Sequence, residues 1–192
     1  MESMVIDNTI AITIDMRNSS NLLDSDDFDF AESVLTEFHS LIMRSAGEPI
    51  YSQSTGDGQI LIYESSWLMN HYETINSIIK SVSSFINNLR NGKPNLDLGY
   101  GIGMHASKLK MIVSEPNDES LVFLIGQCVN TSSKYAYYHN RKTLSHDEFI
   151  FEGILTTKTI SDFMQKNGLT KPIALKKASG ISAYKIQHVS LK

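Results

Sequence analysis

Two aspartates in this chain stand at positions where a carboxylate could bind a metal ion. Asp15 ends the apolar, β-branched run 9–15, which predicts a buried strand. Asp57 lies in Gly56-Asp57-Gly58 between two β-rich segments, a pattern that predicts a hairpin turn. Each motif alone usually has a structural role, as a helix cap or a turn. If the first strand lies beside the hairpin, as in a ferredoxin-like sheet, the carboxylates converge on an oxygen-rich site. Such a site suits Mg²⁺ or Mn²⁺ with a nucleotide's phosphates, and two ions could bind the reacting and the leaving oxygen.

Polar residues that could bind the phosphates and the ribose of a nucleotide occur at two further places. Asn18, Ser19 and Ser20 directly follow the first strand and begin a predicted helix, where free backbone amides bind phosphate oxygens. The same residues could simply cap that helix. Asn130 and Lys134 are four residues apart, so in a helix they share one face. An amide able to orient a ribose and a cation able to meet phosphate charge would then point the same way, although such residues alone are usually ordinary solvent-exposed ones.

These residues are connected by a regular alternation of predicted strands and helices. The order is β-α-β-β-α-β-β-α with late additions, which favours an α+β sandwich of a mostly antiparallel sheet with helices on a face. A glycine-rich strand in the middle of the chain indicates that another backbone comes close to it. We treat residues 1–192 as one domain, with a core over about 9–141 and a C-terminal β/α extension over about 142–192. The predicted elements are strand 9–15, helix 30–42, hairpin strands 50–55 and 59–63, a single helix 68–89, the glycine-rich strand 96–105, strands 109–113 and 121–125, helices 129–140 and 156–166, and a weakly alternating tail.

The composition narrows the classes of function. The chain has 192 residues, with 17 Lys and Arg against 21 Asp and Glu, whereas proteins held to nucleic acid by phosphate contacts usually have a basic excess. No apolar run approaches the ~20 residues of a membrane span, and the start of the chain lacks the features of a signal peptide. The single cysteine, Cys128, allows no internal disulfide. The sequence therefore predicts a cytoplasmic protein without nucleic-acid or membrane partners.

Four segments, in their order along the chain, resemble the motifs of class III nucleotidyl cyclases. They look like that family's strand-end aspartate motif, its Gly-Asp hairpin, its glycine-rich central strand and its Gly-x-x-Val-Asn helix entry. The likeness extends from about Ile10 to Lys134, with a weaker match near Lys177 to Ile186. The four segments are Ile12-Thr13-Ile14-Asp15-Met16-Arg17, Ser54-Thr55-Gly56-Asp57-Gly58, Gly99-Tyr100-Gly101-Ile102-Gly103-Met104-His105 and Ile125-Gly126-Gln127-Cys128-Val129-Asn130.

The resemblance implies the class III cyclase fold in a head-to-tail homodimer with two equivalent composite sites. In each site two Mg²⁺ or Mn²⁺ ions would be bound by Asp15, Asp57 and the Met16 carbonyl. The other subunit would contribute Asn130, which resembles the asparagine that orients the ribose, and Lys134, which stands where the family usually has a transition-state arginine. Lysine keeps the charge but lacks the planar fork that binds phosphate through two hydrogen bonds, so slower catalysis is expected.

The implied reaction joins the ribose 3′ oxygen to the α-phosphorus and releases pyrophosphate and a 3′,5′-cyclic nucleotide. Lys177 resembles a lysine that contacts the terminal phosphates, and together with Asn18, Ser19 and Ser20 it completes the predicted triphosphate-binding set. The aromatic run 135–139 is more typical of core or dimer contacts than of base stacking.

The residues at the base-reading positions match neither purine. Adenylyl cyclases usually have a lysine and an aspartate where this chain has Gln53 and Phe123, and guanylyl cyclases usually have glutamate and cysteine. Phe123 could stack on a smaller base and Gln53 could pair with a pyrimidine edge, with Tyr51 on the same strand face. These features are similar to the stand-alone pyrimidine cyclases of bacterial antiphage defence, whose cyclic UMP or cyclic CMP is sensed by a separate effector protein. The alternatives are a divergent adenylate cyclase and a dimeric nucleotide-binding module with weak or no catalysis, for which Lys134 is the best argument.

Overall fold

The computed structural model describes residues 2–23, 27–114, 121–137, 153–156, 158–167, 170–178 and 181–188. Its strands and helices alternate in the predicted way through the first two thirds of the chain. The elements are β1 (Glu2–Arg17), α1 (Ser20–Leu23), α2 (Phe28–Ser45), β2 (Tyr51–Ser54), β3 (Gly58–Glu64), α3 (Ser65–Asn70), α4 (Tyr72–Gly92), a 3-10 turn (Pro94–Leu96), β4 (Gly99–Ser114), β5 (Leu121–Ile125), α5 (Gln127–Ala136), β6 (Gly153–Thr156), α6 (Lys158–Lys166), β7 (Thr170–Ala178) and β8 (Ile181–His188).

One sheet contains all the strands of the described residues. Its hydrogen-bonded order is β2-β3-β1-β4-β6-β8-β7, and β5 pairs with the far half of β4. Among the described strand pairs only β4 and β6 run parallel. The hairpin strand β3 lies directly beside β1, as the sequence predicted. The predicted α+β architecture is confirmed, and β6, β7 and β8 extend the same sheet beyond β4.

The two faces of β1 have different partners. Ile10, Ile12, Ile14 and Met16 are buried in the main core, which α2 and α4 also line. The residues between them point to the opposite side of the pleated strand. These residues face α5. There the Thr13 and Ser132 hydroxyls are 2.8 Å apart. Because both faces are covered, the inner half of β1 is buried throughout.

Helix α5 lies against the glycine-rich part of β4. A Cβ atom on Gly101 would lie 2.1 Å from the Ala136 carbonyl oxygen, and one on Gly103 would lie 1.9 Å from the Ser132 carbonyl oxygen. Neither distance is compatible with a side chain, so only glycine lets the helix backbone approach this closely. The predicted close approach of a second backbone to this strand is confirmed.

Three predicted elements differ from the structure. The helix predicted over 68–89 is broken at His71 into α3 and α4, because that residue leaves the helical conformation and its ring stacks on Trp67 at 4.4 Å between centroids. The separate strands 96–105 and 109–113 are one continuous strand, β4, which pairs with β1 along nearly its whole length. Strand β6 was not predicted, and residues 138–140 of the predicted helix 129–140 lie outside the described residues.

No helix in the described part of the chain is both long and apolar enough to cross a membrane. A single chain is described, so the head-to-tail homodimer stays a prediction.

Candidate functional site

Of the two aspartates predicted to bind metal, Asp15 lies on β1 and Asp57 lies in the turn directly before the neighbouring strand β3, at one end of the sheet. Asp15 is paired with Gly58 across β1 and β3, and the Met16 amide donates a hydrogen bond to the Asp57 carbonyl oxygen at 3.0 Å. The turn is tight because Gly56 has a positive φ of 89°, and a Cβ on Gly58 would lie 2.6 Å from the Ile14 carbonyl oxygen. The hairpin therefore places Asp57 beside the end of β1, as the sequence predicted.

The charge at this site is strongly unfavourable in the metal-free chain. Asp15 is only 6% exposed, and its pKa is raised from 3.8 to about 7. Burial is the largest cause, the negative charge of Asp57 adds to it, and the positive charge of Arg17 acts against it. A bound divalent cation would compensate both carboxylates. The donor set consists of hard oxygen atoms, which fits Mg²⁺ or Mn²⁺.

Two carboxylates alone do not complete the coordination of a cation. In the ranges that the structure describes, no three His, Cys, Asp or Glu side chains come together as a metal site. Further ligands must then come from the main chain, from water or from a substrate's phosphates. The Met16 carbonyl, which belongs to the same strand end, stays a predicted ligand.

The predicted phosphate-binding residues follow the end of β1, where a very short helix begins. Helix α1 has only four residues, and Asn18 precedes it in a left-handed conformation, with φ of 58°. The Asn18 side-chain amide donates to the Asp97 carbonyl oxygen at 2.9 Å. The Ser19 hydroxyl donates to the Asp57 carboxylate, so Ser19 is tied to the metal site, whereas Ser20 is exposed. Their role in binding a triphosphate stays a prediction.

Asn130 and Lys134 lie on the exposed face of α5. The opposite face of that helix, which packs on the sheet, contains its buried residues Cys128, Thr131, Ser132, Tyr135 and Ala136. The predicted helix and the shared face of Asn130 and Lys134 are confirmed. Both side chains point away from the sheet of their own chain, which leaves them accessible to another molecule.

The three residues predicted to contact the base are not brought together on one surface of the chain. Tyr51 and Gln53 lie on the same face of β2 by alternation, and Tyr51 packs against a small apolar cluster that Leu124 also contacts. Phe123, the residue before Leu124, therefore points to the other side of β5, where it is 52% exposed. In the hydrogen-bonded order, β3, β1 and β4 separate β2 from β5. A pocket shared by Phe123, Tyr51 and Gln53 stays a prediction.

Lys177 lies on β7, at an irregularity in the pairing with β8 between Leu175 and Ala178. Its contact with terminal phosphates also stays a prediction.

Arg17 is a residue of this site that the sequence analysis did not single out. It lies two positions after Asp15 on the same face of β1 and is 2% exposed. Its guanidinium donates to the Ala136 carbonyl oxygen at 2.7 Å. The cation thus stabilises both the ionised form of Asp15 and the negative end of the α5 dipole. The sequence shows that Arg17 lies two residues after Asp15, but it does not reveal the contact of Arg17 with α5.

His39 contacts the turn that contains Asp57 from α2. One ring nitrogen, Nε2, is 2.7 Å from the Gly56 carbonyl oxygen, and Nδ1 is 2.8 Å from Oε1 of Gln59. These contacts connect the helix to both sides of Asp57. The sequence offers no signal for them, because His39 reads as an ordinary polar position of an amphipathic helix.

Comparisons with known proteins identify the fold. No family model matches the sequence, and no curated protein is similar to it. The adenylyl cyclase CyaB from P. aeruginosa has a TM-score of 0.72 at 10% identity, with 100% of this chain and 98% of that chain covered. The guanylyl cyclase Cya2 has a TM-score of 0.65 at 12% identity, with 100% and 96% covered.

A third similar structure is the guanylate cyclase domain of RhGC from Catenaria anguillulae in complex with GTP. Its TM-score is 0.63 at 13% identity, with 96% of this chain and 98% of that chain covered. All three are adenylyl or guanylyl cyclases. The chain therefore has the fold of the class III cyclase catalytic domain.

Proposed function

We propose that this chain is a nucleotidyl cyclase that converts a nucleoside triphosphate, UTP or CTP, into a 3′,5′-cyclic nucleotide and pyrophosphate. The observation that carries the proposal is the convergence of Asp15 and Asp57 at the end of β1, within a cyclase fold. Structures similar to this chain include a complex with GTP and one with the ATP analogue ATPαS. These complexes support a nucleoside triphosphate as the ligand.

The reaction forms a bond between the ribose 3′ oxygen and the α-phosphorus. The bond from the α-phosphorus to the oxygen that bridges to the β-phosphate breaks, pyrophosphate leaves, and the 3′-hydroxyl proton is released. Two divalent cations would polarise the 3′-hydroxyl and neutralise the triphosphate. Asp15, Asp57 and the Met16 carbonyl would hold them, while Asn18, Ser19 and Ser20, of which Ser19 contacts the Asp57 carboxylate, would bind the phosphates.

A head-to-tail homodimer would complete each site. Asn130 and Lys134 project from α5 away from their own sheet, which supports their use by a second copy of the chain. There the Asn130 amide would orient the ribose, and Lys134 would stabilise the negative charge that develops on the phosphates. Complete loss of one such contact typically costs about 3 to 4 kcal/mol of barrier. A lysine in place of arginine keeps the charge, so we expect a slow enzyme.

The residue types at Gln53 and Phe123, which a single chain does not bring onto one surface, are the basis for proposing a pyrimidine substrate. Gln53 is exposed on the strand that leads into the metal-binding turn, and it can both donate to and accept from a pyrimidine edge. Phe123 offers an exposed ring rather than a charge. A site built to hydrogen-bond one base rejects a base that leaves its polar groups unpaired. A purine would lack its usual partners here, although a divergent adenylate cyclase is the alternative. The cyclic product would be sensed by a separate effector protein.

The experiment incubates the purified protein with ATP, GTP, CTP or UTP and Mn²⁺, and detects products by mass spectrometry. We expect a cyclic nucleotide and pyrophosphate from UTP or CTP. Asp57→Asn should form no product while keeping the elution volume of the wild type. Asp7→Asn, which alters an exposed carboxylate paired with Lys108, should retain full activity. Product from Asp57→Asn at the wild-type rate would remove Asp57 from the mechanism.

The choice of base can be tested by restoring the adenylyl-type residues. Combining Gln53→Lys with Phe123→Asp should shift the preference towards ATP. If preference for UTP or CTP survives the double change, the base is selected elsewhere.

A second candidate function is a nucleotide-binding module without turnover. Lysine at position 134 is the observation that favours it. Lys134→Arg should accelerate product formation if the chain is a slow enzyme. Binding of all four nucleotides without product, in both the wild type and Lys134→Arg, would instead support the binding module.

A further inference from the structure

The side chain of Asp57 is less constrained than its main chain. The Asp57 carbonyl oxygen accepts the 3.0 Å hydrogen bond from the Met16 amide, and the strand that follows the turn pairs directly with β1. These contacts fix where the turn lies, but they do not fix the rotation of the carboxylate about its side-chain bonds. Asp57 is only partly buried, so packing alone does not select one orientation of its carboxylate.

Repulsion between the two carboxylates makes this orientation important. The negative charge of Asp57 is one of the causes that raise the pKa of Asp15, so the two groups oppose each other's ionisation. In the metal-free chain this repulsion favours rotation of the Asp57 side chain towards solvent. A cation would then have to bring the side chain back when it binds, and this ordering costs affinity.

The Ser19 hydroxyl opposes this rotation. It donates a hydrogen bond to Oδ2 of the Asp57 carboxylate. Such a bond is stronger when its acceptor is ionised than when both groups are neutral. It does not involve the second oxygen, Oδ1, which can bind a cation while Oδ2 accepts from Ser19. The hydroxyl adds no charge, so it orients the carboxylate without neutralising it.

Ser19 is itself held in place by the turn between β1 and α1. Its carbonyl oxygen accepts a hydrogen bond from the Leu22 amide at 2.9 Å, and the Leu22 side chain is buried in the main core. The Asn21 side-chain amide donates to the Leu96 carbonyl oxygen at 2.7 Å, which ties the turn to the segment before β4. The Asn21 main-chain amide donates to the Asn18 carbonyl oxygen at 2.9 Å. The hydroxyl therefore extends from an anchored part of the main chain.

We propose that Ser19 is a positioning residue of the metal site, whose hydroxyl holds the Asp57 carboxylate in the orientation that binds cations. The inference rests on the proposed metal-binding function of Asp15 and Asp57. It assigns the Ser19 hydroxyl to the carboxylate, so the predicted contact of Ser19 with a triphosphate would come from its main-chain amide. The carboxylate is thus oriented before a nucleotide arrives.

The test measures Mn²⁺ binding to the nucleotide-free protein by electron paramagnetic resonance. Ser19→Ala removes the hydroxyl and keeps the main-chain contacts of the turn. We expect this variant to bind Mn²⁺ about tenfold more weakly or worse, as is typical when a group that orients a metal ligand is lost. Ser19→Thr, which retains a hydroxyl, should bind Mn²⁺ nearly as tightly as the wild type. Ser77→Ala, which removes an exposed hydroxyl from α4, is the matched control and should bind as the wild type does.

Two results would assign Ser19 a different role. A lower urea midpoint of Ser19→Ala with unchanged Mn²⁺ affinity would show a structural role only and would overturn the inference. Equal weakening of Mn²⁺ binding in Ser19→Ala and Ser19→Thr would show that the hydroxyl is not responsible, and this result would also overturn it.

The remaining outcomes separate this inference from the proposed function. Unchanged Mn²⁺ affinity in Ser19→Ala, with binding lost in Asp57→Asn, would overturn the role of Ser19 and leave the metal site intact. Absence of Mn²⁺ binding to the nucleotide-free wild type would overturn it as well, because the inference requires a site that forms before the nucleotide binds, whereas cyclic product from that protein would still support the proposed function. If Mn²⁺ binding depends on the Ser19 hydroxyl but no nucleotide is cyclised, the positioning role stands and the proposed function fails.

Discussion

Replacing Asp15 with asparagine should make the metal-free protein more stable at high pH while removing one ligand of its proposed metal site. The pKa of Asp15 in the folded chain, about 7, lies above its ordinary value of 3.8. The folded state therefore holds a proton that the unfolded state has already lost. Stability is full below pH 3.8, falls as the pH rises from about 4 to about 7, and is constant above that range. Asparagine resembles the protonated carboxyl group and avoids this loss.

The structure sets the size of the effect. The rise of the Asp15 pKa from 3.8 to about 7 corresponds to an upper bound of about 4 kcal/mol of unfolding free energy, lost once the carboxylate is ionised. Asp15 is almost fully buried, so solvent screening reduces this value little. At about pH 5 the Asp15 carboxyl group of the folded state remains protonated, and less than half of the loss of unfolding free energy has occurred. The advantage of asparagine should thus be greater at about pH 8 than at about pH 5 by up to about 2.5 kcal/mol.

Urea denaturation of metal-free protein at the two pH values measures this difference. Asp7→Asn is the matched control, since it removes an exposed carboxylate in a surface ion pair and should change stability by less than about 1 kcal/mol at either pH. Addition of Mn²⁺ at high pH should raise the urea midpoint of the wild type and leave that of Asp15→Asn unchanged.

Two results would refute the reasoning. A stability difference between Asp15→Asn and the wild type that does not change with pH would show that Asp15 is already ionised in the folded chain at low pH. A lower stability of the variant at both pH values would show that the carboxylate contributes favourable contacts that outweigh its desolvation. Either result would remove the electrostatic argument for a cation at this position.

Two further predictions concern the packing of α5. Gly103→Ala should lower the unfolding free energy by about 3 kcal/mol or more, because its Cβ would lie 1.9 Å from the Ser132 carbonyl oxygen. Gly92→Ala, whose Cβ would meet nothing within 4 Å, is the control in the same urea assay, and equal midpoints for the two variants would contradict this packing. Arg17→Met should cost about 1 to 3 kcal/mol by leaving the Ala136 carbonyl unsatisfied. That cost should be larger at high pH, where Arg17 also compensates the ionised Asp15, and a cost independent of pH in the same assay would exclude the electrostatic part.

Much of the site could be predicted because its signals are local. The run that ends in Asp15, the Gly56-Asp57-Gly58 turn and the four-residue spacing of Asn130 and Lys134 each predict one element, and each element is present. The pairing of the first strand with the hairpin followed from the order of the elements. Alternation in strands, helical spacing and turn-forming residues are local patterns. Neighbouring residues in the chain largely determine them.

Other features depend on partners distant in sequence. The apolar spacing of the second helix continues through His71, yet the stacking of that ring on Trp67 accompanies the break. Strand β4 continues through 106–108 because Ala106, Ser107 and Leu109 pair with β1, across a register shift between Ile6 and Thr9, although the local pattern suggests an interruption. The direction of Phe123 is set by Leu124, which packs against the same cluster as Tyr51.

The sequence by itself determined most of the strands and helices up to α5 and where the proposed site residues lie on them, since residue type and spacing dictate local conformation. Only the tertiary structure decided how the carboxylates are held. Arg17 reaches Ala136 across 119 positions of the chain, and the Thr13 and Ser132 hydroxyls meet across the same separation of 119. Both contacts require α5 to lie on the glycines of β4. Such contacts depend on which surfaces pack together, and no local pattern encodes that choice.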